Sequence, residues 1–436
     1  MTIRRVRIAN ADGAARIGRV ARGWVALAGL LLAAGAVAAD APALPWGPTP
    51  SAAGAYARAT AIADLGRTLF FDPALSASGR MACATCHDPA HGFSAPNPLP
   101  VQLGGADLQR PGIRAAPSLM YGQSVPAFSE HYFEPEDEGD ESVDQGPTGG
   151  RDWDGRVDRG RDQAALPLLD NNEMANLNPQ AVAATVGRSA YADDVRQLYG
   201  QDVFADPART FAAVTEALEF YQQTPATFAP FSSKYDAFLS GHASLTAQEA
   251  RGAALFNDPA KGNCAHCHKS AVTSDGQPPL FTDFGYAALG VPRNRAIPAN
   301  HDPAYFDLGL CGPQRHDLAG RAGYCGMFKT PTLRNVALRN SFYHNGIVRS
   351  LREAVDFYAE RDADPAKWYP KRPDGTVQKF DDLPAEYVRN VDMEAPFGGK
   401  RVLSDRDVDD LVAFLRTLTD GFKQEPPASA GWRPTD

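Results

Sequence analysis

Two copies of one short pattern contain the residues of this chain that are best suited to chemistry. Each copy has two cysteines three positions apart and a histidine directly after the second: Cys83-Ala-Thr-Cys86-His87 and Cys264-Ala-His-Cys267-His268. Two thiols at this spacing can form thioether bonds to the vinyl groups of one haem, and the adjoining histidine can bind the iron through a ring nitrogen. Zinc is the alternative, but it needs all four cysteines around one ion, and the pairs are about 180 residues apart in sequence. The patterns therefore predict two covalently bound haem c groups.

A degenerate internal repeat precedes the two cysteine pairs. Its copies are Leu65-Gly-Arg-Thr-Leu-Phe-Phe-Asp-Pro73 and Arg251-Gly-Ala-Ala-Leu-Phe-Asn-Asp-Pro259. Each predicts an amphipathic helix that ends at Asp-Pro, because proline cannot continue a helix. The pattern Thr246-x-x-Glu249 is a capping box that would open the second helix. We therefore predict two cytochrome c-like haem domains, residues 40–230 and 231–436, with a linker near 225–240 where proline and small polar residues interrupt the helical periodicity.

The remaining sequence predicts helices joined by long loops. From Ser404 to Leu418, apolar residues recur at helical spacing, acids lie in the first turn and Arg416 lies late, as the helix dipole prefers. Proline and glycine are frequent elsewhere, so we expect a mainly α fold with long ordered loops and little sheet. The acidic run at 134–141 predicts a solvated surface loop, with docking or cation binding as the alternative.

The N-terminal residues predict a secretory leader. Residues 1–22 carry six arginines and one acid, and an apolar run from Trp24 to Val37 leads to a small-residue exit at Ala38 and Ala39. This order is typical of a signal peptide over residues 1–39. A retained membrane anchor is the alternative, but the run is short and rich in alanine and glycine. We expect a soluble periplasmic protein with no membrane span in the mature chain.

The charge and the two other cysteines narrow the class of protein. The formal net charge is −9, and loss of the leader lowers it to about −14, which argues against nucleic acid because nucleic-acid binding needs a basic face. An acidic surface suits a basic redox partner, and it also keeps a protein soluble. Cys311 and Cys325 lie in one glycine-rich loop, so an oxidising compartment favours a disulfide between them over a third metal site.

Several further motifs identify a family. They are Trp153-Asp-Gly-Arg156, Gln163, Glu173-Met174, Phe328-Lys-Thr-Pro-Thr-Leu-Arg-Asn335 and Tyr343-His-Asn-Gly346. With these motifs and the two cysteine pairs, nearly the whole mature chain resembles the bacterial diheme cytochrome c peroxidase and MauG family. The resemblance implies that the N-terminal haem reacts with peroxide and the C-terminal haem transfers electrons.

The resemblance also implies roles for three residues between the haem motifs. Gln163 and Glu173 have the spacing of the glutamine and glutamate on the distal side of the peroxide-reacting haem, where a carboxyl group can relay a proton between the peroxide oxygens. Trp153 matches the tryptophan that carries electrons between the haems. Without the resemblance, Glu173 would be interpreted as a surface carboxylate, Gln163 as a capped helix residue and Trp153 as a core aromatic.

One position separates the two branches of the family. Fourteen residues after the histidine of the His-Asp-Gly turn, the peroxidases have a methionine ligand to the second haem and MauG-type proteins have tyrosine. Counting from His344 reaches Tyr358, which we therefore predict as the sixth ligand of the C-terminal haem iron, while the nearby Met327 is more typical of packing. A phenolate is a hard ligand that favours ferric iron, whereas a thioether favours the reduced state.

The stretch 104–117 departs from many of the peroxidases. It contains no counterpart of their removable distal histidine, and His91 and His131 do not align with it, so we expect an open sixth position on the N-terminal haem. Ala115 replaces the family's calcium-coordinating asparagine. This replacement argues against a calcium ion between the domains. The alternative is that water or a nearby carboxylate takes the place of the asparagine as a calcium ligand.

These implications lead to three hypotheses. The first is a periplasmic diheme peroxidase that reduces hydrogen peroxide to water, with electrons from a small cytochrome c or cupredoxin entering at the C-terminal haem and crossing through Trp153. The second is a MauG-like enzyme that stores two oxidising equivalents over both irons and oxidises a residue of a protein substrate. The third is a non-enzymatic electron shuttle, which Gln163 and Glu173 argue against because a saturated haem has no use for a distal acid–base pair.

Overall fold

The computed structural model of the protein describes residues 51–134 and 141–423. The predicted signal peptide (1–39) and positions 135–140 of the acidic run lie outside the described residues. The helices of the described part are α1 (Ala52–Phe71), α2 (Cys83–Cys86), α3 (Gly160–Leu169), α4 (Pro179–Val186), α5 (Ala192–Tyr199), α6 (Pro207–Gln222), α7 (Pro225–Phe228), α8 (Lys234–Leu239), α9 (Ala247–Asn257), α10 (Leu351–Glu360), α11 (Pro365–Trp368) and α12 (Asp405–Arg416).

Within the described residues, sheet structure is limited to short antiparallel pairs. The strands are β1 (Leu103–Gly104) with β2 (Arg110–Pro111), and β3 (Tyr286–Ala287) with β4 (Phe328–Lys329). The described chain is thus mostly helical with long loops, as the sequence predicts. In residues 51–134 and 141–423, we find no helix whose length and apolar character would let it cross a membrane.

Both copies of the internal repeat form helices with the predicted ends. The Oγ of Ser51 accepts a hydrogen bond from the backbone N–H of Gly54 (3.1 Å) at the start of α1. The capping box at the start of α9 is formed, with the N–H of Glu249 donating to Oγ1 of Thr246 (3.2 Å). Each helix stops at the residue before its Asp-Pro pair. The local sequence alone therefore determines where both helices begin and end.

Each repeat helix packs in a separate hydrophobic cluster. In the first cluster α1 packs against α6, and α3 and α4 complete the group. In the second cluster α9 packs against α12, and α10 lies beside α12. The buried members of the first cluster come from residues 62–229 and those of the second from residues 235–418. The predicted domain boundary falls between these ranges and stays a prediction.

The segment 225–240 contains more helix than the sequence predicts. Pro225 begins α7, a position that tolerates proline because the first N–H of a helix has no partner in the helix. The Oγ of Ser233 accepts a hydrogen bond from the N–H of Asp236 (3.2 Å) and caps α8. The prediction of interrupted periodicity is therefore correct only for residues 229–233, because proline and serine begin helices here.

Two other predictions from the C-terminal half are confirmed. The capping box of Ser404 and Asp407 begins α12, whose apolar stripe is buried. Cys311 and Cys325 form a disulfide, which rules out a third metal site at this pair.

The two repeat helices share a close approach that only glycine permits. A Cβ on Gly66 would lie 1.8 Å from the carbonyl oxygen of Ala217 in α6, and a Cβ on Gly252 would lie 2.0 Å from that of Asp410 in α12. Both distances are far below van der Waals contact, and the clash is with backbone, which cannot move aside like a side chain. The glycine of the repeat thus sets the helix spacing in both clusters.

We predict that Gly252→Ala lowers the free energy of unfolding by about 1–3 kcal/mol, because α9 and α12 must separate to admit a methyl group. Gly54→Ala in α1 is the control, since its Cβ would meet only the Ser51 side chain at 3.3 Å and alanine is favoured over glycine in helices by about 0.5–1 kcal/mol. Thermal unfolding followed by circular dichroism makes the comparison. An unchanged midpoint for Gly252→Ala would show that the two helices are not held at this spacing.

Candidate haem-binding site

The two motif histidines are held in the same way. The Nδ1 of His87 lies 3.0 Å from the carbonyl oxygen of Phe93, and the Nδ1 of His268 lies 2.9 Å from that of Phe281. A hydrogen bond from Nδ1–H to a carbonyl fixes the tautomer and leaves Nε2 as the nitrogen that can bind a metal. Burial lowers the pKa of both histidines, that of His268 to about 4, so both rings are neutral. Neutral, oriented imidazoles are the form that ligates haem iron.

The four motif cysteines do not form a zinc site. All four are free thiols, and burial raises the pKa of each to about 12, so they are protonated. Among the residues that the structure describes, the one cluster of three side chains that could hold a metal ion is Asp356, Glu360 and Asp405, which contains no cysteine. The zinc alternative therefore lacks the convergence that it requires.

A large cavity borders the second motif and reaches the backbone beside the first. Its wall includes Cys264, Cys267 and His268, as well as Trp153, Gln163 and Pro117, whose backbone is a hydrogen-bond partner of His87. The wall is mostly apolar, as a site for a macrocycle should be.

One buried polar atom in this wall, Nε2 of His344, lacks a hydrogen-bond partner in the described protein. Buried polar atoms are rarely left unpaired, so this nitrogen indicates a missing polar ligand. Together with the oriented histidines and the thiols, it fits haem, which offers vinyl groups, an iron and carboxylates.

Tyr358 lies in the same cavity as the second motif. It lies on α10, and its electrostatic neighbours are Cys267 and Cys264. Its ring stacks on Phe397 with the centroids 5.3 Å apart. Burial, and then the two cysteines, raise the pKa of the phenol well above its usual value, so Tyr358 is protonated unless a cation replaces its proton. The position is consistent with the predicted iron ligand, whereas Met327 is absent from the cavity wall.

Gln163 and Glu173 are linked through an aspartate that the sequence analysis missed. The Nε2 of Gln163 donates to Oδ1 of Asp152 (3.3 Å). Burial, and then the negative charges of Asp170 and Asp152, raise the pKa of Glu173 to about 7, while Arg156 opposes this shift. Glu173 is also close enough to Cys83 and Cys86 to raise the pKa of both thiols. The structure thus brings Glu173 to the first cysteine pair.

Glu173 is accessible to solvent as a whole residue, but the protein atoms around its carboxyl group disfavour the charged form and raise its pKa. An upward shift towards neutrality is what a group needs to accept and return a proton at physiological pH.

The stretch 104–117 positions Glu173. The N–H of Gly105 donates to the carbonyl oxygen of Glu173 (2.8 Å). A Cβ on Gly104 would lie 2.1 Å from the carbonyl oxygen of Asn172, so the two segments touch through their backbones. Glycine at 104 and 105 could have been recognised as a site of close approach, but the sequence alone does not say which segment approaches.

Trp153 is held between two distant segments. Its Nε1–H donates to the carbonyl oxygen of Ala115 (2.8 Å), and its own carbonyl oxygen accepts from the N–H of Lys329 (2.9 Å). The N–H of Ala115 in turn donates to the carbonyl oxygen of His344 (2.7 Å). The indole is 8 % exposed, so the core interpretation holds and is compatible with a relay.

Buried ion pairs on both sides of Trp153 fix its orientation. Arg114 bonds to both carboxylate oxygens of Asp307 and to Oδ2 of Asp154, each at 2.7 Å. Arg156 bonds to Asp154 at 3.1 Å and lies 3.0 Å from Asp152. The sequence analysis quoted Trp-Asp-Gly-Arg as a motif but missed the roles of Arg114 and Asp307. The partners of Arg114 are distant in sequence, since Asp154 is 40 positions away and Asp307 is 193 positions away.

The two histidines set aside in the sequence analysis are engaged elsewhere. His91 pairs with Asp88 at 2.5 Å and His131 with Asp144 at 2.6 Å. Neither lines the cavity. The stretch 104–117 itself supplies no histidine, and the open sixth position of the first haem stays a prediction, as does the doubtful calcium ion.

Comparisons with known proteins point to one family. The family profile described as di-haem cytochrome c peroxidase matches residues 60–244. The methylamine utilization protein MauG of Paracoccus denitrificans is 36% identical over 373 residues, which cover 83% of this chain and 89% of that protein. The cytochrome c551 peroxidase of Nitrosomonas europaea is 27% identical over 299 residues, covering 68% and 72%.

A solved structure shares the fold. The crystal structure of the diheme peroxidase BthA from Burkholderia thailandensis has a TM-score of 0.73 and 42% sequence identity, covering 82% of this chain and 86% of that one. Relatives of both named kinds thus match over more than half of the chain.

We predict that Tyr358→Phe changes the absorption spectrum and spin state of the second haem without lowering haem content, because it removes the phenol oxygen that we predict as the iron ligand. Tyr343→Phe is the matched control: Tyr343 lines the same cavity, 6.4 Å from Tyr358 between ring centroids, and its hydroxyl donates to the carbonyl oxygen of Ala354. Ultraviolet–visible and electron paramagnetic resonance spectra of the ferric proteins give the answer. An unchanged spectrum for Tyr358→Phe would mean that the ligand is another residue.

Proposed function

The chain belongs to the di-haem cytochrome c peroxidase and MauG family, and we propose that it is a periplasmic peroxidase that reduces hydrogen peroxide at the haem attached to Cys83 and Cys86. Thioether bonds to Cys83, Cys86, Cys264 and Cys267, with His87 and His268 as iron ligands, would hold two haem c groups. The periplasmic location rests on the predicted leader and on the disulfide between Cys311 and Cys325. The observation that carries the proposal is Glu173, a carboxyl group of raised pKa beside the first cysteine pair.

The chemistry divides between the cofactor and this chain's residues. When bound, haem supplies an iron that coordinates peroxide and passes electrons to it. Reduction of one H2O2 to two waters consumes two electrons and two protons. Breaking the O–O bond requires that a proton leave the inner oxygen and arrive at the outer one, and Glu173 is the group that accepts and returns it.

Gln163 and Asp152 prepare the peroxide for this transfer. The amide of Gln163 donates to Asp152, so its orientation is fixed before peroxide binds. A neutral amide can orient peroxide by hydrogen bonds without competing for protons. Asp152 also raises the pKa of Glu173, and it thereby connects the orienting residue with the proton carrier.

Trp153 is the proposed path for electrons from the second haem. It lines the cavity that also borders Cys267 and His268, and its hydrogen bonds to Ala115 and Lys329 fix the indole between segments from both halves of the sequence. A fixed aromatic ring with little exposure changes its surroundings little on oxidation, which favours rapid transfer. The donor would be a small cytochrome c or cupredoxin that reduces the second haem.

One observation favours a second candidate function. Tyr358 lies in the cavity wall that also contains Cys264 and Cys267, at the position where a donor-driven peroxidase of this family has methionine. The chain also has no histidine in the stretch 104–117. A hard phenolate stabilises oxidised iron, which suits an enzyme that takes its two electrons from a residue of a protein substrate, as a MauG-like enzyme does. Both candidates use Glu173 and Gln163 in the same way and differ in the source of the electrons.

The test that separates them mixes the fully ferric protein with one equivalent of H2O2 in a stopped-flow spectrometer. An immediate spectral change that persists for minutes without reductant supports the MauG-like function. A reaction that needs a reduced small cytochrome c, with steady oxidation of that donor, supports the peroxidase. No reaction under either condition overturns the proposed function.

We predict that Glu173→Gln slows the reaction of the protein with H2O2 by about 10²–10⁴-fold, the range typical of a lost general acid–base group. Haem content and the spectrum of the second haem should not change, since Gln keeps the size of the side chain. Stopped-flow rates of the two proteins at equal haem concentration give the ratio. A ratio near one would remove Glu173 from the proton relay.

The pH dependence should follow from the raised pKa of Glu173. Because the ionised carboxylate accepts the proton, the rate should rise with pH through the pKa of Glu173, which lies above the ordinary value for glutamate. Asp170→Asn removes a negative charge that raises this pKa, so its inflection should move to lower pH with the same plateau. Glu173→Gln should abolish the inflection. An inflection that survives in Glu173→Gln would belong to another group.

A further inference from the structure

Most buried cations of this protein are paired with carboxylates. Five buried arginines each have an acidic partner within 2.9 Å: Arg114 with Asp307, Arg293 with Asp382, Arg315 with Asp317, Arg334 with Asp236, and Arg361 with Asp362. This is the expected arrangement, because an unpaired charge is costly to remove from water.

Three other cations depart from this arrangement: Arg151, Lys329 and Arg339. In the described part of the chain none of the three has a carboxylate within ion-pair distance, and their side chains bond only to backbone carbonyl oxygens. Arg151 donates to Asp158 (3.3 Å), Lys329 to Gly150, and Arg339 to Ser341 (3.2 Å) and Ala116 (3.4 Å). Burial lowers the pKa of all three, that of Lys329 to about 8 and that of Arg339 to about 10.

The three unpaired cations line the same cavity. Each side chain is half-buried and belongs to the wall that also contains Trp153 and Gln163. The nearest acids are already occupied, since Asp154 bonds to Arg114 and Arg156, and Asp152 pairs with Arg156. The cavity therefore carries an excess of positive charge that no described side chain balances, which calls for an anionic ligand.

The positions of the three cations indicate which haem supplies the anion. Arg339 donates to the carbonyl oxygen of Ala116 (3.4 Å), next to Pro117, whose backbone is a hydrogen-bond partner of His87, so Arg339 lies on the side of the first haem's histidine ligand. Arg151 and Lys329 lie close to Asp152, which bonds to Gln163 on the opposite, peroxide-binding side. An anion that reaches all three must lie at the edge of the haem between these two sides.

We propose that Arg151, Lys329 and Arg339 bind the propionate carboxylates of the haem attached at Cys83 and Cys86. The proposal rests on the haem attachment stated above. Haem c has two propionates, and three donors around two carboxylates leave one positive charge in excess. Guanidinium groups suit this task because their planar forks match carboxylates, and Lys329 adds a compact point charge.

The arrangement has a consequence for the electron affinity of the first haem. Reduction adds a negative charge to the haem, and nearby cations stabilise that charge in a medium of low dielectric constant. The three cations should therefore hold the reduction potential of the first haem higher than it would be with bare propionates. They act as positioning residues, because they touch the cofactor at its edge and not at the iron.

We predict that Lys329→Gln and Arg339→Gln each shift the midpoint potential of the first haem to lower values, whereas Lys329→Arg keeps it near that of the unchanged protein. Lys400→Gln is the control, because Lys400 is exposed and its loss changes the net charge equally. Spectroelectrochemical titration of the holoprotein, with electron paramagnetic resonance to follow each haem, measures the potentials. A first-haem potential that stays constant in both glutamine variants, or a shift confined to the second haem, overturns the proposal.

Haem content separates this result from a failure of the proposed function. Pyridine haemochrome spectra report thioether-bound haem, so an unchanged protein without such haem would overturn the attachment itself. Where attachment is intact and the potentials do not move, only the propionate assignment fails. If Lys329→Gln does not fold, Arg339→Gln carries the same test from the His87 side of the haem.

Discussion

The interaction on which the candidate site most depends is the buried pairing of Arg114 with Asp154 and Asp307. It joins three segments that are distant in sequence, and one of them contains Trp153. Loss of one partner would leave a buried charge uncompensated, which typically costs about 3–5 kcal/mol. With Arg114 in place, Ala115 follows directly and accepts the indole N–H of Trp153, so one ion-pair network sets both the backbone and the ring. This network thus fixes the position of the tryptophan in the cavity wall.

The sequence predicts those features of the structure that depend on residues close together in the chain. The repeat helices end at their Asp-Pro pairs, and Phe93, whose carbonyl orients His87, follows that histidine by six positions. Tyr358 could be predicted by counting along the chain from His344, which lies in a recognised turn. By contrast, the support of Glu173 comes from Gly105, and that of Trp153 from Ala115 and Lys329, through contacts that no periodicity encodes. Gln163 and Glu173 were therefore predicted through a resemblance, and Asp152 was missed.

Burial acts on Glu173 and Tyr358 in the same direction but with different chemical results. It raises the pKa of both, since the charged form of an acid is disfavoured away from water. A carboxyl group raised towards neutrality can exchange protons during turnover. A phenol raised above its already high value cannot lose its proton to solvent, so only a bound cation would make it ionise. The same physical effect thus leaves Glu173 able to exchange a proton near neutral pH and keeps Tyr358 protonated unless a cation is bound.

The charge around Trp153 links the electron path to the cofactor's carboxylates. Transfer through the indole leaves it positively charged for a short time, and neighbouring cations oppose that charge. Arg151 precedes Trp153 by two residues and Lys329 bonds to its carbonyl oxygen through its backbone N–H, so two unpaired cations of the cavity wall lie on segments that touch the tryptophan. Asp152 and Asp154 offset them only in part, because Arg114 and Arg156 already bind these acids. Propionates bound to Arg151, Lys329 and Arg339 would remove most of this opposition, and haem insertion would then lower the free energy of oxidising Trp153. An electron relay that becomes favourable only when the first haem is in place would keep the tryptophan from being oxidised in an incomplete protein.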